Sequence, residues 1–198
     1  MANKVALREL QSRLAERLKE ARTQDRAQSW LAVEAGGHAL LFPLQEAGEI
    51  FPIGPMLPVP HTFTWFLGVA NLRGGLHGVI DLGRFLRSGG TTRPDGAQPF
   101  DGNGSGQGSA SEAENAPDAG REQARLVALN PALECNAALL VDRLAGLRNL
   151  SQLTPEASDS RPRPAFAGDR FRDGGGKLWQ EVRLSALASD PAFLKIVG

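Results

Sequence analysis

Trp65-Phe66-Leu67-Gly68-Val69-Ala70-Asn71-Leu72-Arg73-Gly74-Gly75-Leu76-His77-Gly78-Val79-Ile80-Asp81-Leu82 sets two apolar stretches on either side of Asn71-Leu72-Arg73-Gly74-Gly75. Short apolar stretches bounded by turn residues read as strands. Asn and Gly between them supply the positive backbone angles that a tight reversal needs. The segment is therefore a strand, a turn and a returning strand, with Arg73 held outward between glycines. A guanidinium fixed in that way is planar and always charged, so it can clamp a carboxylate or backbone carbonyls of a partner. The same group could equally bridge two loops of its own fold, and the residues alone leave both readings open.

Outward from this segment the pattern repeats. Residues 30–33, 39–44, 78–82, 125–129 and 137–142 are short apolar runs, rich in branched side chains and bounded by Gly, Pro or polar clusters. Gly36-Gly37, between the first two runs, suits a two-residue hairpin turn. Short strands without long helices between them argue for small antiparallel barrels or sandwiches rather than a doubly wound parallel sheet. The expected fold class is mainly β with terminal helices. Closure into a barrel would also remove exposed edges. A faint internal echo points to two similar halves: 40–44 leads through Glu46 to Glu49-Ile50, and 139–142 leads through Arg143 to Leu147.

The flanks differ in kind. In residues 3–23, Leu7, Leu10, Leu14 and Leu18 line one face of an α-helix, with Arg8, Arg13, Arg17 and Lys19 around it. The stripe is narrow, so it should dock on the following body or on a partner. Between Ser88 and Gly120 there are eight glycines, three prolines and one large apolar residue, Phe100. Such a stretch buries too little surface to offset its ordering entropy and reads as a disordered insertion. Residues 154–177, with Arg161-Pro162-Arg163-Pro164 and Gly174-Gly175-Gly176, read as a second irregular connection. The expected division is an N-terminal helix over 1–27 and one domain over 28–198, interrupted at about 88–120.

Composition excludes several functions. Lys plus Arg and Asp plus Glu both number 22, so no net field draws the chain to nucleic acid or anionic lipid. The lone cysteine, Cys135, cannot form an internal disulfide and suits a reducing compartment, and no stretch approaches a membrane span. The expectation is a cytoplasmic protein with no membrane insertion. His38, His61 and His77 lie in no Cys/His cluster, so no metal is expected. Asp81 and Asp142 each close an apolar run and with Glu49 could supply paired carboxylates, although an Asp at a strand end ordinarily accepts N–H bonds of the next turn. Ser29, Ser88 and Ser151 lie in no nucleophile elbow, and Gly74-Gly75 is followed by no phosphate-binding Lys. No cofactor or catalysis is expected. The alternative to a protein-binding module is a small-barrel nucleic-acid binder, but basic residues are not interleaved with aromatics and there is no Tyr.

Glu49-Ile50, Pro58-Val59-Pro60, the run Gly68-Val69-Ala70-Asn71-Leu72-Arg73-Gly74, and Val79-Ile80-Asp81-Leu82 together resemble the CheW-like family of chemosensory adaptors. Ala138-Leu139-Leu140-Val141-Asp142 is similar to the family's second-half strand. The resemblance covers about 30–86 well and 125–196 loosely. The N-terminal leucine pattern and the ending from Leu184 to Leu194 are similar to the PilI branch, which serves type IV pilus twitching systems. The long Gly-rich insertion and the setting of Gly168 depart from the pattern. The resemblance implies two small five-stranded SH3-like barrels packed side by side, with a short C-terminal helix. It implies partners rather than chemistry: the regulatory domain of a CheA-like histidine kinase and the cytoplasmic tip of a methyl-accepting chemoreceptor. It places Glu49, Gly68, Asn71, Arg73 and Gly74 at the partner contact, with no cofactor and no nucleic acid.

Overall fold

The computed structural model describes residues 29–88, 122–157 and 163–197. The expected helix over 1–27 and the insertion over about 88–120 lie outside the described residues, apart from Ser88.

Eleven strands form two sheets among the described residues. The first holds β1 (Ser29–Ala35), β2 (His38–Pro43), β8 (Arg143–Asn149), β9 (Leu153–Glu156), β10 (Ala167–Asp173) and β11 (Leu178–Val182), in the order β8-β1-β2-β11-β10-β9. The second holds β3 (Ala47–Pro52), β4 (Phe66–Leu72), β5 (Gly75–Asp81), β6 (Arg125–Leu129) and β7 (Ala137–Val141), in the order β3-β6-β7-β5-β4. Among the described residues three short α-helices accompany the strands: α1 (Leu82–Ser88), α2 (Leu184–Ala188) and α3 (Pro191–Leu194).

Both sheets repeat one pairing scheme: two antiparallel pairs, one parallel pair (β2 with β11, β5 with β7), then antiparallel again. The sequence echo falls on equivalent places, because β2 to β3 and β7 to β8 are both steps from one sheet to the other. The halves are therefore interleaved, with β1 and β2 completed by strands from the C-terminal third. Each sheet also brings its edges together. In the first, edge strands β8 and β9 are joined by a single 3-10 turn, Leu150–Gln152. In the second, the chain leaving edge strand β3 returns to bond edge strand β4, Leu57 and Val69 exchanging N–H···O bonds of 2.8 and 2.9 Å.

Four expectations are corrected. The sheets carry six and five strands rather than five each, because the 3-10 bend after β8 separates it from β9, which pairs at the opposite edge of the sheet. The 154–177 stretch is not an irregular connection: β9 and β10 occupy much of it, and Gly174 to Gly176 turn β10 into β11. Its backbone pairs although its composition is polar and β10 buries only Gly168 and Phe171. The strand read as 78–82 ends at Asp81, and Leu82 opens α1, where Asp81 accepts the N–H of Arg84 at 2.8 Å. The single expected C-terminal helix is two, α2 and α3, with Asp190 capping the second through the N–H groups of Ala192 and Phe193.

The apolar runs are continuous because both faces of the inner strands are buried. In β1, Leu31 and Val33 face a seam between the sheets, whereas Trp30 and Ala32 face the interior of the first sheet with Leu41, Phe171 and Trp179. In β6 and β7, Val127 and Leu139 face the seam, and Leu126 and Ala138 join Leu72 and Val79 inside the second sheet. Aromatic rings fill the seam: Phe85 meets Trp65 at 5.1 Å and Phe193 at 5.5 Å, both edge to face, the favoured geometry. The sheets touch backbone to backbone where Gly36 of the β1–β2 turn abuts Gly83 of α1, and the Asp142 carboxylate accepts the Gly36 N–H at 2.7 Å.

Candidate partner-binding surface

The β4–β5 turn has two residues, Arg73 (φ 50°) and Gly74 (φ 85°), both left-handed, between the paired Leu72 and Gly75. This is the turn whose twist matches paired strands. A left-handed backbone at a non-glycine residue costs about 1–2 kcal/mol. Asn71 offsets part of it by accepting the Gly74 N–H at 2.8 Å. The residues thus hold Arg73 at a fixed, projecting position.

Its guanidinium donates to the Glu49 carboxylate of β3 at 2.8 Å, with 75% of the Arg73 side chain and 54% of the Glu49 side chain exposed. Glu49 stands beside a register shift between Ala47 and Ile50, where Gly48 lets β3 press against the backbone of Leu129. The family resemblance implied that Glu49 and Arg73 both stand at the partner contact, without foreseeing that they pair. An ion pair this exposed contributes at most about 1 kcal/mol to folding. Its charges therefore remain available to exchange with a partner's.

Gly68 differs from the other four candidates. It is buried in a β4 bulge at φ 132°, and a Cβ there would overlap the Leu57 carbonyl oxygen. Its contribution is to the backbone path, since its missing side chain admits the Leu57–Pro58 segment that joins the edges of the second sheet. Glu49, Asn71, Arg73 and Gly74 are exposed.

Sequence reasoning passed over two exposed leucines beside this turn. Leu76 pairs with Asn71 and is 67% exposed; Leu57 pairs with Val69 and is 70% exposed. Cross-strand partners share a face, so both leucines stand with Val69 and Asn71 on the face of the second sheet whose Val69 packs against the seam. Counting back from the turn would have found Leu76, because Asn71 and Leu76 are the second pair out from Arg73-Gly74. Leu57 has no such signal, since it lies outside the regular strands. Apolar area beside a fixed ion pair is the pattern of a protein interface, with its dry centre and polar rim.

The remaining candidate residues have structural work. Asp81 and Asp142 reach the same end of the neighbouring parallel strands β5 and β7, but each carboxylate is engaged, by the Arg84 N–H and by the Gly36 N–H. His77 lies 3.1 Å from the Gly75 carbonyl. Among the described residues no three His, Cys, Asp or Glu side chains stand together as metal ligands, and no helix is long and apolar enough to cross a membrane. Desolvation raises the Cys135 thiol above its ordinary value, which keeps it in the unreactive protonated form.

Two carboxylates brace the first sheet. Glu34 accepts both forks of Arg143, at 3.1 and 2.7 Å, and pairs with Lys177; first the Arg143 hydrogen bond and then Lys177 hold its carboxyl below the ordinary range against desolvation. Asp173 accepts the buried Trp179 indole N–H at 2.9 Å and the backbone N–H groups of Gly175 and Lys177, and the indole bond leads in depressing its carboxyl.

The family described as the CheW-like domain matches residues 29–192. Protein PilI of Pseudomonas aeruginosa is 37% identical over 65 residues, 32% of this chain and 36% of that protein, so the match spans about a third of the curated relative's length. Among solved structures, the scaffolding protein TtCheW from Thermoanaerobacter tengcongensis matches at TM-score 0.53 and 15% identity, covering 80% of this chain and 85% of that one, a likeness of fold.

Proposed function

The chain belongs to the CheW-like domain family, and from that premise we propose that it is a non-enzymatic coupling protein that holds a CheA-like histidine kinase against a methyl-accepting chemoreceptor. The regulatory domain of the kinase and the cytoplasmic tip of the receptor are its partners, and the complex assembles in the cytoplasm at receptor arrays. The observation that carries the reading is the β4–β5 turn: a conformationally fixed Arg73, paired to an exposed Glu49, with exposed Leu76 just past the turn and exposed Leu57 farther along β4 opposite Val69. The leucines supply apolar area for affinity, and the charges orient the partner and reject wrong ones. Coupling needs no chemistry on the adaptor: a receptor state that changes the geometry of the shared contact changes kinase activity by linkage. The output in type IV pilus motility is the finer part of the reading, supported by the partial similarity to Protein PilI.

The test is affinity purification from the native cytoplasm with wild type, Arg73→Glu and the swap Arg73→Glu/Glu49→Arg, bound proteins being identified by mass. Wild type should recover a histidine kinase and a chemoreceptor, and Arg73→Glu should lose at least one. The swap restores the internal pair but presents reversed charges, so it should not regain the partner. Equal recovery by all three would remove Arg73 from the contact. Recovery of nucleic acid and neither protein by wild type would refute the adaptor reading.

A further inference from the structure

We propose that Glu46 and Asp142, one on each of two chain crossings between the sheets, are positioning residues that hold the sheets at one angle, so that a partner on one sheet is oriented against whatever the other sheet binds. The inference rests on the coupling role proposed above and names the residues that transmit it.

Each crossing carries a carboxylate that bonds an element of the first sheet's half. After β7 of the second sheet, Asp142 accepts the Gly36 N–H of the β1–β2 turn at 2.7 Å and donates its own N–H to the Glu34 carbonyl at 2.8 Å. The same turn is held from α1, where Gly83 abuts Gly36 and Arg87 donates to the Gly36 carbonyl at 3.4 Å. Between β2 and β3, the Glu46 carboxylate accepts the Ser185 N–H at 3.1 Å and the Ser185 hydroxyl at 2.8 Å. Ser185 lies in α2, which follows β11 and receives no side-chain cap from Arg183. The backbone around Glu46 is itself fixed to the second sheet. Its carbonyl accepts the Asn130 N–H just past β6, and the Asn130 amide group donates to the Gln45 carbonyl, both at 2.9 Å.

Spacing gives the two contacts their effect. Gly36 precedes β2 and Glu46 follows it, so they stand at opposite ends of a six-residue strand, roughly 20 Å apart. The seam between the sheets is filled by apolar side chains such as Val33, Phe42, Ile80 and Leu139, whose attraction depends on area and has no preferred direction. Such a seam sets the separation of the sheets and leaves their angle soft. Hydrogen bonds to carboxylates are directional and strong, and two of them far apart remove that freedom. A partner at the β4–β5 turn touches the second sheet, so its orientation toward the first sheet passes through these contacts.

Spin labels on Leu76→Cys of β5 and Thr154→Cys of β9, both exposed, in a Cys135→Ser background of the full chain, read the angle as a distance distribution by double electron-electron resonance. The distribution should be at least about twofold broader with Asp142→Ala/Glu46→Ala added, and narrow with Asp142→Asn/Glu46→Gln, which keeps an acceptor oxygen at each site. The seam and the bond from the Phe63 N–H to the Ile196 carbonyl stay in place in these variants. Should the double alanine variant still fail to fold, the single variants make the same measurement with one contact kept. In affinity purification from the native cytoplasm the unlabelled alanine variants should recover kinase and receptor as wild type does, while phosphate incorporated from labelled ATP by the recovered kinase changes at least about fivefold. An unbroadened distribution in the alanine variants would overturn the proposal, and so would broadening that leaves phosphate incorporation unchanged. Recovery of neither protein by wild type would instead refute the coupling role, and the distance distribution would still decide whether the two carboxylates hold the sheets.

Discussion

Alanine at Gly83 places a methyl carbon 2.7 Å from both the Cα and the N of Gly36, across the contact between the sheets. Both obstacles are backbone, so no side chain can swing aside, and carbon contacts become comfortable only at about 3.5 Å. The β1–β2 turn and α1 must part by several tenths of an ångström. Parting strains the bond from the Gly36 N–H to the Asp142 carboxylate and that from Arg87 to the Gly36 carbonyl. Forcing a methyl into a packed site costs about 1–3 kcal/mol, and loss of a hydrogen bond to a charged group would add about 1.5–3 kcal/mol. In the opposite direction, alanine improves on glycine in a helix by up to about 1 kcal/mol. With the bond weakened rather than lost, the expected net loss is about 1–3 kcal/mol. Urea unfolding followed by tryptophan fluorescence should show a lower midpoint at unchanged slope. Gly54→Ala, whose added carbon meets nothing within 4 Å, serves as the control and should be neutral or slightly stabilising. Gly83→Ala at least as stable as wild type would refute the reasoning, because helix propensity alone predicts that result.

Gly68→Ala should lose about 2–4 kcal/mol, from the strained φ and from the broken Leu57–Val69 pair, and thermal unfolding checks it. Arg73→Glu should shift the unfolding midpoint by less than about 1 kcal/mol equivalent, since both partners of its pair are exposed; a larger loss would make Arg73 a structural bridge. Glu34 has a depressed folded pKa, so its stabilisation is present above its unfolded pKa and lost as pH falls through the folded one. Wild type should therefore weaken toward acid pH more steeply than Glu34→Gln, with a difference of about 1 kcal/mol, because Arg143 and Lys177 are solvent-screened; parallel pH profiles would argue against the brace. Asp173→Ala leaves the buried Trp179 N–H unpaired and should cost about 1–3 kcal/mol at neutral pH, read from urea titration.

Particular residues show where the sequence was readable. Gly36-Gly37 and Asn71 to Gly75 announced their hairpins because positive φ is a local requirement that few residue types meet. Strands β1, β2, β6 and β7 were readable because burial on both faces leaves an unbroken apolar run. β10 was not: Ala-Gly-Asp-Arg-Phe-Arg-Asp is polar on its open face, and its partner strands rather than its composition make it a strand. Helix α1 was hidden by its seven-residue length and by Gly83, which is there for the contact with Gly36. At the candidate surface, Arg73 could be read from its turn, whereas the Glu49 pairing and the exposure of Leu57 depend on how the edges of the second sheet meet.

By itself the sequence determined what is local: a β-rich chain, the position of its sharp turns, the outward Arg73 and the family resemblance carried by residues 49–82. Tertiary structure alone decided which core each side chain enters, because alternation assigns a residue to a face but not to a neighbour. It decided the interleaving of the halves, since parallel pairing of β2 with β11 spans most of the chain and leaves no mark on either strand's composition. It also decided the work of the glycines at 68 and 83, where the reason for a missing side chain is an atom contributed by a distant part of the chain.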